Sequence, residues 1–198
     1  MAERRHVMDM YRLDGRVALV TGGARNLGFD MAEALGEAGA SLAITSRELD
    51  KAQIAAKRLC KATGLTAKAY ALDVTDEQSI VEVIAKVIRD FGTLDNLINN
   101  AGNVQNSAPF EQRALEDWNY TFAANSTGTF LCAKEAAKHM MARETGTIIN
   151  IASISGMIGK ERSVYEGTEM VGVTTVSYTH LRAHETLRYL VCRLLLEK

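Results

Sequence analysis

Tyr165 and Tyr178, two of the three tyrosines near the carboxyl end of the chain, have the chemistry of a proton donor and acceptor. Tyr178 stands four residues before Arg182 in SYTHLRAHE, and this spacing places both side chains on one face of a helix. A free phenol has a pKa of about 10, so a neighbouring cation is needed to favour the phenolate. Tyr165 is followed four residues later by Glu169, whose negative charge has the opposite effect. Tyr178 and Arg182 are therefore the preferred pair, with Tyr165 as the alternative.

A glycine-containing turn near the amino end has the form of a phosphate site. The apolar segment RVALVT runs into TGGARNLG, and a helical pattern follows at once. At the start of a helix the backbone N–H groups and the helix dipole face an anion, and small residues let a pyrophosphate approach. Taken alone, this pattern also fits an ordinary turn. Motifs elsewhere in the chain are needed to distinguish a phosphate-binding turn from an ordinary one.

Short apolar segments alternate with longer helical patterns along most of the chain. The five candidate strands are residues 16–21, 41–46, 66–72, 94–99 and 147–152. They are apolar throughout, which predicts burial on both faces, and the alternation with helices predicts βαβ units. Thr75 and Gln78 have the spacing of a capping box before the third helix, which Gly92 can end. The sequence thus predicts an α/β, Rossmann-type fold, with a doubly wound parallel sheet in a three-layer αβα arrangement.

Composition indicates one domain over residues 1–198, with residues 1–12 as an N-terminal arm. The chain is 47% apolar and 24% charged, which suits a single core. Its net charge of -1, with cations scattered among acids, argues against a nucleic-acid partner. No apolar run approaches the roughly 20 residues of a spanning helix, and no signal peptide is evident, so we expect a cytoplasmic, soluble protein that does not bind membranes. The three cysteines lack metal-site spacing, which predicts reduced thiols and no metal.

Three turns that follow candidate strands carry a family resemblance. They read TGGARNLG, ALDVTD and NNAG. In the first, Asn26 stands where the pattern TGxxxGxG has its middle glycine, and asparagine tolerates a positive φ better than other non-glycine residues. In this order the motifs resemble the short-chain dehydrogenase/reductase family, up to about residue 175, with the gluconate-dehydrogenase and oxoacyl-reductase branches nearest in overall look. The cofactor-binding residues that the resemblance implies are Thr21, Gly22, Gly23, Asn26, Leu27, Gly28, Asp73, Val74, Asn99, Asn100, Ala101 and Gly102.

The same resemblance implies catalytic residues. The family uses a tyrosine for proton transfer, a lysine one helical turn later, a serine that holds the substrate oxygen and an asparagine that helps to order a water. Ser153 in INIASISG and Asn125 in AANSTGTF match the serine and the asparagine. Without the resemblance they would be interpreted as a helix cap and a buried amide. Tyr178 takes the place of the tyrosine and Arg182 that of the lysine, and we expect a damaged site because a guanidinium replaces an ammonium poorly.

Charge after the second candidate strand predicts the choice of nicotinamide cofactor. An NAD site places an acid there to bind the ribose hydroxyls, whereas the 2′-phosphate of NADP needs a cation. Arg47 stands at this point, and Arg25 in the glycine-containing turn is a second guanidinium of the geometry that suits phosphate. We therefore expect NADP(H), with NAD as the alternative. Arg47 also argues against a Rossmann-type methyltransferase, which would need an acid at the same position.

Residues 177–198 differ in character from the rest of the chain. The segment has no glycine or proline and resembles no part of the family. Its leucines between 187 and 195 form an apolar helical stripe, so we expect a non-native helical tail and the loss of the family's last strands. His180 and His184 are spaced for a metal on one helix face, but no third ligand is evident and we assign none.

Two functions are compatible with these patterns. The first is an NADP(H)-dependent oxidoreductase that transfers a hydride between the nicotinamide and a small alcohol or carbonyl compound, such as a sugar acid, a polyol or a 3-oxoacyl thioester. The second is a catalytically inactive NADP-binding fragment of such an enzyme. The partner that we expect for the chain is a small-molecule substrate. The resemblance also implies a homo-oligomer.

Overall fold

Five parallel strands form one sheet in the part of the chain that the computed structural model describes, residues 6–103, 112 and 114–153. The strands are β1 (Val17–Val20), β2 (Ser41–Ser46), β3 (Ala67–Ala71), β4 (Asn96–Asn99) and β5 (Thr147–Asn150). Their order across the sheet is β3-β2-β1-β4-β5. Each strand lies within one of the five segments predicted from the apolar runs, so that prediction is confirmed.

Helices cover both faces of the sheet. They are α1 (Asn26–Glu37), α2 (Leu49–Thr63), α3 (Glu77–Phe91), α4 (Leu115–Phe122) and α5 (Thr129–Ala142), with a π-helical turn Ala123–Gly128 between α4 and α5 and a 3-10 helix Val7–Tyr11 before β1. Successive β1 residues point to opposite faces: Ala18 packs in the cluster that contains Phe29 of α1, and Leu19 in the cluster that contains Ile84 of α3. The predicted three-layer, doubly wound α/β fold is confirmed.

Burial varies from strand to strand. The central strand β1 is buried throughout, as the uniformly apolar sequence predicts, and β2 is buried except at its two ends. In β3, however, Tyr70 is buried while Lys68 and Ala71 are exposed, so the prediction of burial on both faces is wrong there. The reason is position, because β3 is the outermost strand on its side of the described sheet.

The start of α3 also differs from the sequence prediction. The backbone N–H of Gln78 donates to Oδ1 of Asp76 at 3.0 Å, and Asp76 is the N-cap. The Thr75 hydroxyl instead donates to the Asp73 carboxylate at 2.7 Å. The predicted capping box of Thr75 and Gln78 is therefore wrong by one residue, whereas Gly92 ends the helix with a φ of 82°, as predicted.

The carboxyl edge of the sheet contains a topological switch point. From β1 the chain continues through β2 to β3 on one side, and then returns to β4 and β5 on the other. The turns after β1 and β4 are neighbours at this edge, and in open α/β sheets ligands bind in the crevice between such turns. Among the described residues, no helix combines the length and apolar character needed to span a membrane.

Candidate functional site

The turns that follow β1 and β4 are bound to each other by side chains. The Thr21 hydroxyl accepts hydrogen bonds from the backbone N–H groups of Asn100 at 3.0 Å and Ala101 at 2.9 Å. In return, the Asn100 amide nitrogen donates to the carbonyls of Thr21 at 2.9 Å and Gly22 at 3.2 Å. The two turns therefore form one rigid floor at the switch point.

The glycine-containing turn has the backbone geometry that its sequence requires. Asn26, which stands in place of a glycine, has a φ of 48°, so the predicted tolerance of asparagine for the left-handed region is used here. A Cβ on Gly28 would lie 2.5 Å from both the Asn100 amide nitrogen and the Gly22 carbonyl oxygen, which excludes a larger residue. Helix α1 begins at Asn26 without a side-chain cap, so its first N–H groups are available to an anion.

The turns that follow β1, β3 and β4 line one open cleft of about 520 Å³. Most of the predicted cofactor-binding residues line it: Gly22, Arg25, Asn26, Leu27, Gly28, Arg47, Asp73, Val74, Asn100, Ala101 and Gly102. The volume is within the range of about 300–1,000 Å³ that is typical of ligand sites. The structure thus brings together, at one place, residues that the sequence distributes over three separate turns and the end of β2.

Three predicted cofactor residues do not line this cleft. Thr21 is 1% exposed, with its hydroxyl in the joint between the turns. Gly23 packs against Val20, where an added Cβ would lie 3.1 Å from the Val20 carbonyl oxygen. The Asn99 amide nitrogen donates to Oδ1 of Asn150 at 2.9 Å and to the carbonyl of Thr129 at 3.3 Å. These residues support the cleft from inside the sheet.

Positive charge gathers at the end of the cleft that β2 and α2 form. Arg25, Arg47 and Lys51 all line it, together with Glu48. The Lys51 ammonium lies 2.5 Å from the Glu48 carboxylate. The pKa of Glu48 is lowered, chiefly by its hydrogen bond with Lys51 and further by the positive charges of Lys51, Arg47 and Arg25. Arg25 and Arg47 thus line the same cleft, and their role as phosphate ligands remains a prediction.

Two residues at this end were not found from the sequence. Lys51 follows Arg47 by four positions, a spacing that could have indicated a shared surface. Tyr120 of α4 accepts a hydrogen bond from Nη1 of Arg47 at 3.0 Å, across 73 residues of sequence. No local pattern predicts such a contact, since the two residues are far apart in the sequence.

The opposite end of the cleft is built around Asn103 and Asn125. Nδ2 of Asn125 donates to the Asn103 carbonyl and the Asn103 N–H donates to Oδ1 of Asn125, both at 2.8 Å. Asn125 is fully buried in the π-helical turn, so its amide holds the segment after β4 against the helix layer. Such turns inside helices are frequent at functional sites. This geometry agrees with a buried structural amide, and the water-ordering role implied by the family remains a prediction.

Of the remaining predicted catalytic residues, the structure describes only Ser153. Ser153 follows β5 at the carboxyl edge of the sheet, where the N–H of Ile151 still donates to the Asn99 carbonyl at 2.9 Å. Tyr178, Arg182 and the alternative Tyr165 lie outside the described residues. The predicted acid–base pair and the tail over residues 177–198 therefore remain predictions.

The donor set of the cleft fits an anionic dinucleotide. Cations and an uncapped helix start suit anionic groups, while Ile54 and Leu72 add apolar wall for a planar base. Oδ1 of Asn103 is buried in the cleft wall without a hydrogen-bond partner among the described residues, which leaves a polar atom for a ligand to satisfy. The described part contains no cluster of histidine, cysteine, aspartate or glutamate that could hold a metal ion.

Known proteins are similar to this chain in sequence and in fold. A gluconate 5-dehydrogenase of Gluconobacter oxydans (strain 621H) is 34% identical over 152 residues, which are 77% of this chain and 59% of that protein. A solved gluconate 5-dehydrogenase from Burkholderia cenocepacia J2315, in complex with NADP and tartrate, has a TM-score of 0.79 at 32% identity, over 91% of this chain and 67% of that one. A NAD+-bound xylitol dehydrogenase has a TM-score of 0.73 at 30% identity, over 84% of this chain and 59% of that one.

A family model matches most of the chain. The model for short chain dehydrogenases matches residues 16–183, which include all five strands and every turn of the cleft. The chain spans 59% of the length of the Gluconobacter relative. Because the match covers most of the chain and agrees with the sheet order and with the turns at its carboxyl edge, the chain belongs to the short-chain dehydrogenase family.

Proposed function

We propose that the chain binds NADP(H) in the cleft and acts as an oxidoreductase on a small alcohol or carbonyl compound. One observation carries the proposal: residues from three turns meet at a single cleft whose outer end holds Arg25, Arg47 and Lys51. A dianionic 2′-phosphate requires cations at this position, whereas a ribose diol requires an acceptor. The NADP complex of the similar Burkholderia enzyme supports this choice.

The nicotinamide end of the proposed site lies towards Asn103 and Asn125. When bound, the nicotinamide supplies or accepts a hydride, and the protein has to move a proton at the substrate oxygen. We propose that the Ser153 hydroxyl binds the substrate oxygen and that the phenol of Tyr178 transfers the proton. The positive charge of Arg182 would favour the phenolate form of Tyr178. Asn125 holds the backbone of Asn103 in place at this end of the cleft.

The names of the similar proteins favour a polyhydroxylated substrate. Gluconate 5-dehydrogenase and xylitol dehydrogenase act, by name, on a sugar acid and a polyol. We therefore propose that the substrate class is a sugar acid or a polyol, and a 3-oxoacyl thioester is the second choice.

Exchange of the Arg47 charge tests the cofactor assignment. In Arg47→Asp the guanidinium is lost and a carboxylate that suits a ribose diol is introduced, so NADPH affinity should fall by at least about tenfold while NADH affinity holds or rises. Dissociation constants for both cofactors, measured by fluorescence titration, give the ratio. Lys57→Asp is the matched control, because it makes the same charge change on the exposed side of α2 outside the cleft. An unchanged NADPH-to-NADH ratio in Arg47→Asp would refute the assignment.

Binding of NADP without turnover is the second candidate function. The observation that favours it is Arg182, which stands where the family has a lysine and which fits poorly between a phenol and a ribose. The absorbance of NADPH, followed with a panel of keto-sugar acids and ketoses, separates the two functions. Consumption of NADPH identifies an enzyme, and tight NADPH binding with no consumption identifies the binding protein.

A further inference from the structure

Arg47 and Lys51 lie at the same end of the cleft but have different partners. The Lys51 ammonium is paired with the carboxylate of Glu48 at 2.5 Å, so much of its charge is neutralised within the protein. Nη1 of Arg47 donates instead to the phenol oxygen of Tyr120 at 3.0 Å. A phenol is neutral, so the bond restricts the guanidinium without reducing its charge.

The guanidinium retains hydrogen-bonding capacity in this arrangement. Arginine has five N–H donors in one plane, and a single bond from Nη1 leaves the other donors for a phosphate. An exposed arginine otherwise samples many rotamers, and each rotamer that a ligand must freeze reduces its affinity. A partner that fixes the plane in advance therefore favours a bidentate ligand.

The helix that carries Tyr120 is held in place by its neighbouring side chains. Tyr120 lies on α4, where the rings of Trp118 and Phe122 stack with their centroids 4.8 Å apart. The adjacent Thr121 is buried, and its hydroxyl donates to the Asp117 carbonyl at 2.8 Å. Neighbouring side chains thus anchor the helix that carries Tyr120, while the phenol itself is exposed at the surface.

We propose that Tyr120 is a positioning residue for cofactor choice, which orients the Arg47 guanidinium for the 2′-phosphate of NADP(H). This inference rests on the proposed function, since it concerns the same phosphate. It also assigns a specificity role to α4, which lies outside the turns that the sequence motifs mark. The effect operates through Arg47 and involves no direct contact between Tyr120 and the cofactor.

Removal of a single oxygen atom tests the proposal. In Tyr120→Phe the ring and its packing remain and the acceptor for Arg47 is lost. We expect the dissociation constant for NADPH to rise about two- to fivefold, as for loss of one exposed hydrogen bond, while that for NADH stays unchanged. Energy transfer from Trp118, the only tryptophan, to the reduced nicotinamide reports binding of both cofactors in the full 198-residue chain. Tyr11→Phe, on the exposed 3-10 helix, is the matched control.

A double variant separates this inference from the proposed function. In an Arg47→Leu background, Tyr120→Phe should have no further effect on the NADPH-to-NADH ratio, because the group that it positions is absent. Equal weakening of NADPH and NADH by Tyr120→Phe, or an undiminished effect in the Arg47→Leu background, would overturn the positioning role alone. If Arg47→Leu leaves the ratio unchanged, the proposed phosphate site fails and the role of Tyr120 fails with it.

Discussion

Glu48 occupies an unusual place among the single residues of the cleft. Its carboxylate lies among the cations that we assign to phosphate binding, and it pairs with Lys51. It therefore competes with a bound phosphate for the same positive charge. The sequence shows Glu48 as the first acidic residue after β2, and the structure adds its pairing with Lys51.

Neutralisation of Glu48 should strengthen NADPH binding. In Glu48→Gln the negative charge is removed and Lys51 becomes free to face the phosphate, so we expect NADPH affinity to rise about two- to fivefold relative to NADH. The gain should shrink at high salt, because these groups are exposed. Titrations at two salt concentrations measure both effects. Asp50→Asn removes an exposed acid outside the cleft and should leave the ratio unchanged, whereas equal gains in both variants would contradict a specific role for Glu48.

Some of these residue-level features could be predicted from the sequence. Arg25 and Arg47 were predicted as phosphate ligands because charge and position after a strand are local properties, and Asn26 because its backbone tolerance is intrinsic. The bonds of Tyr120 to Arg47 and of Asn125 to Asn103 join distant segments. Such contacts depend on the packing of whole elements, which residue type alone does not determine.

The π-helical turn Ala123–Gly128 is the element that connects the helix layer to the cleft. Gly128 approaches the Val74 carbonyl so closely that a Cβ there would collide with it. In the same turn, the amide of Asn125 satisfies the N–H and the carbonyl of Asn103. The turn therefore sets the position of the segments that follow both β3 and β4.

Loss of the Asn125 amide should destabilise the fold. Asn125→Ala leaves the Asn103 N–H and carbonyl without these partners in a region where Asn125 is fully buried, and we expect a cost of about 2–4 kcal/mol in the free energy of unfolding. Urea unfolding followed by Trp118 fluorescence measures the change. Asn119→Ala, at an exposed position of α4, should change the stability by less than about 0.5 kcal/mol. Similar stabilities for the two variants would show that the paired bonds carry little weight.

Helices and strands could be predicted where the local sequence pattern is strong. Apolar segments placed all five strands, because burial in a parallel sheet requires them. The exposed residues of β3 and the shift of the α3 cap from Thr75 to Asp76 were missed. The first depends on strand order, and the second on which neighbouring side-chain oxygen, that of Thr75 or that of Asp76, faces the first N–H groups of the helix. The π-helical turn gives no distinct pattern, since its residues also suit an α-helix.

A polar cluster at the amino edge of the sheet contributes to the stability of the whole molecule. Asp95 is 3% exposed, and its carboxylate accepts from the Val17 N–H at 2.9 Å and pairs with Arg143 at 3.1 Å. His139 lies beside this cluster, with Nε2 accepting from the Leu94 N–H at 3.4 Å. The cluster joins the starts of β1 and β4 to the end of α5, on the opposite edge of the sheet from the cleft.

His139 should make the stability depend on pH. Its pKa is lowered, first by burial and then by the charge of Arg143, although Asp95 opposes the shift. As the pH falls below the ordinary value of about 6.5, the unfolded chain therefore takes up a proton before the folded one, and the free energy of unfolding decreases. Urea unfolding between pH 7.5 and pH 5.5, roughly the range around that value, measures the slope. His139→Gln should reduce this dependence of the free energy of unfolding on pH. A free energy of unfolding that increases as the pH falls would contradict the prediction.

We infer that this cleft prefers a cofactor with a 2′-phosphate. The most direct test is a titration of the unmodified 198-residue chain with NADPH and with NADH at one salt concentration, followed by energy transfer from Trp118. The structure leads us to expect saturable binding of both cofactors, with NADPH at least about tenfold tighter because Arg25 and Arg47 meet its additional charge. Equal affinities, or tighter binding of NADH, would contradict the claim.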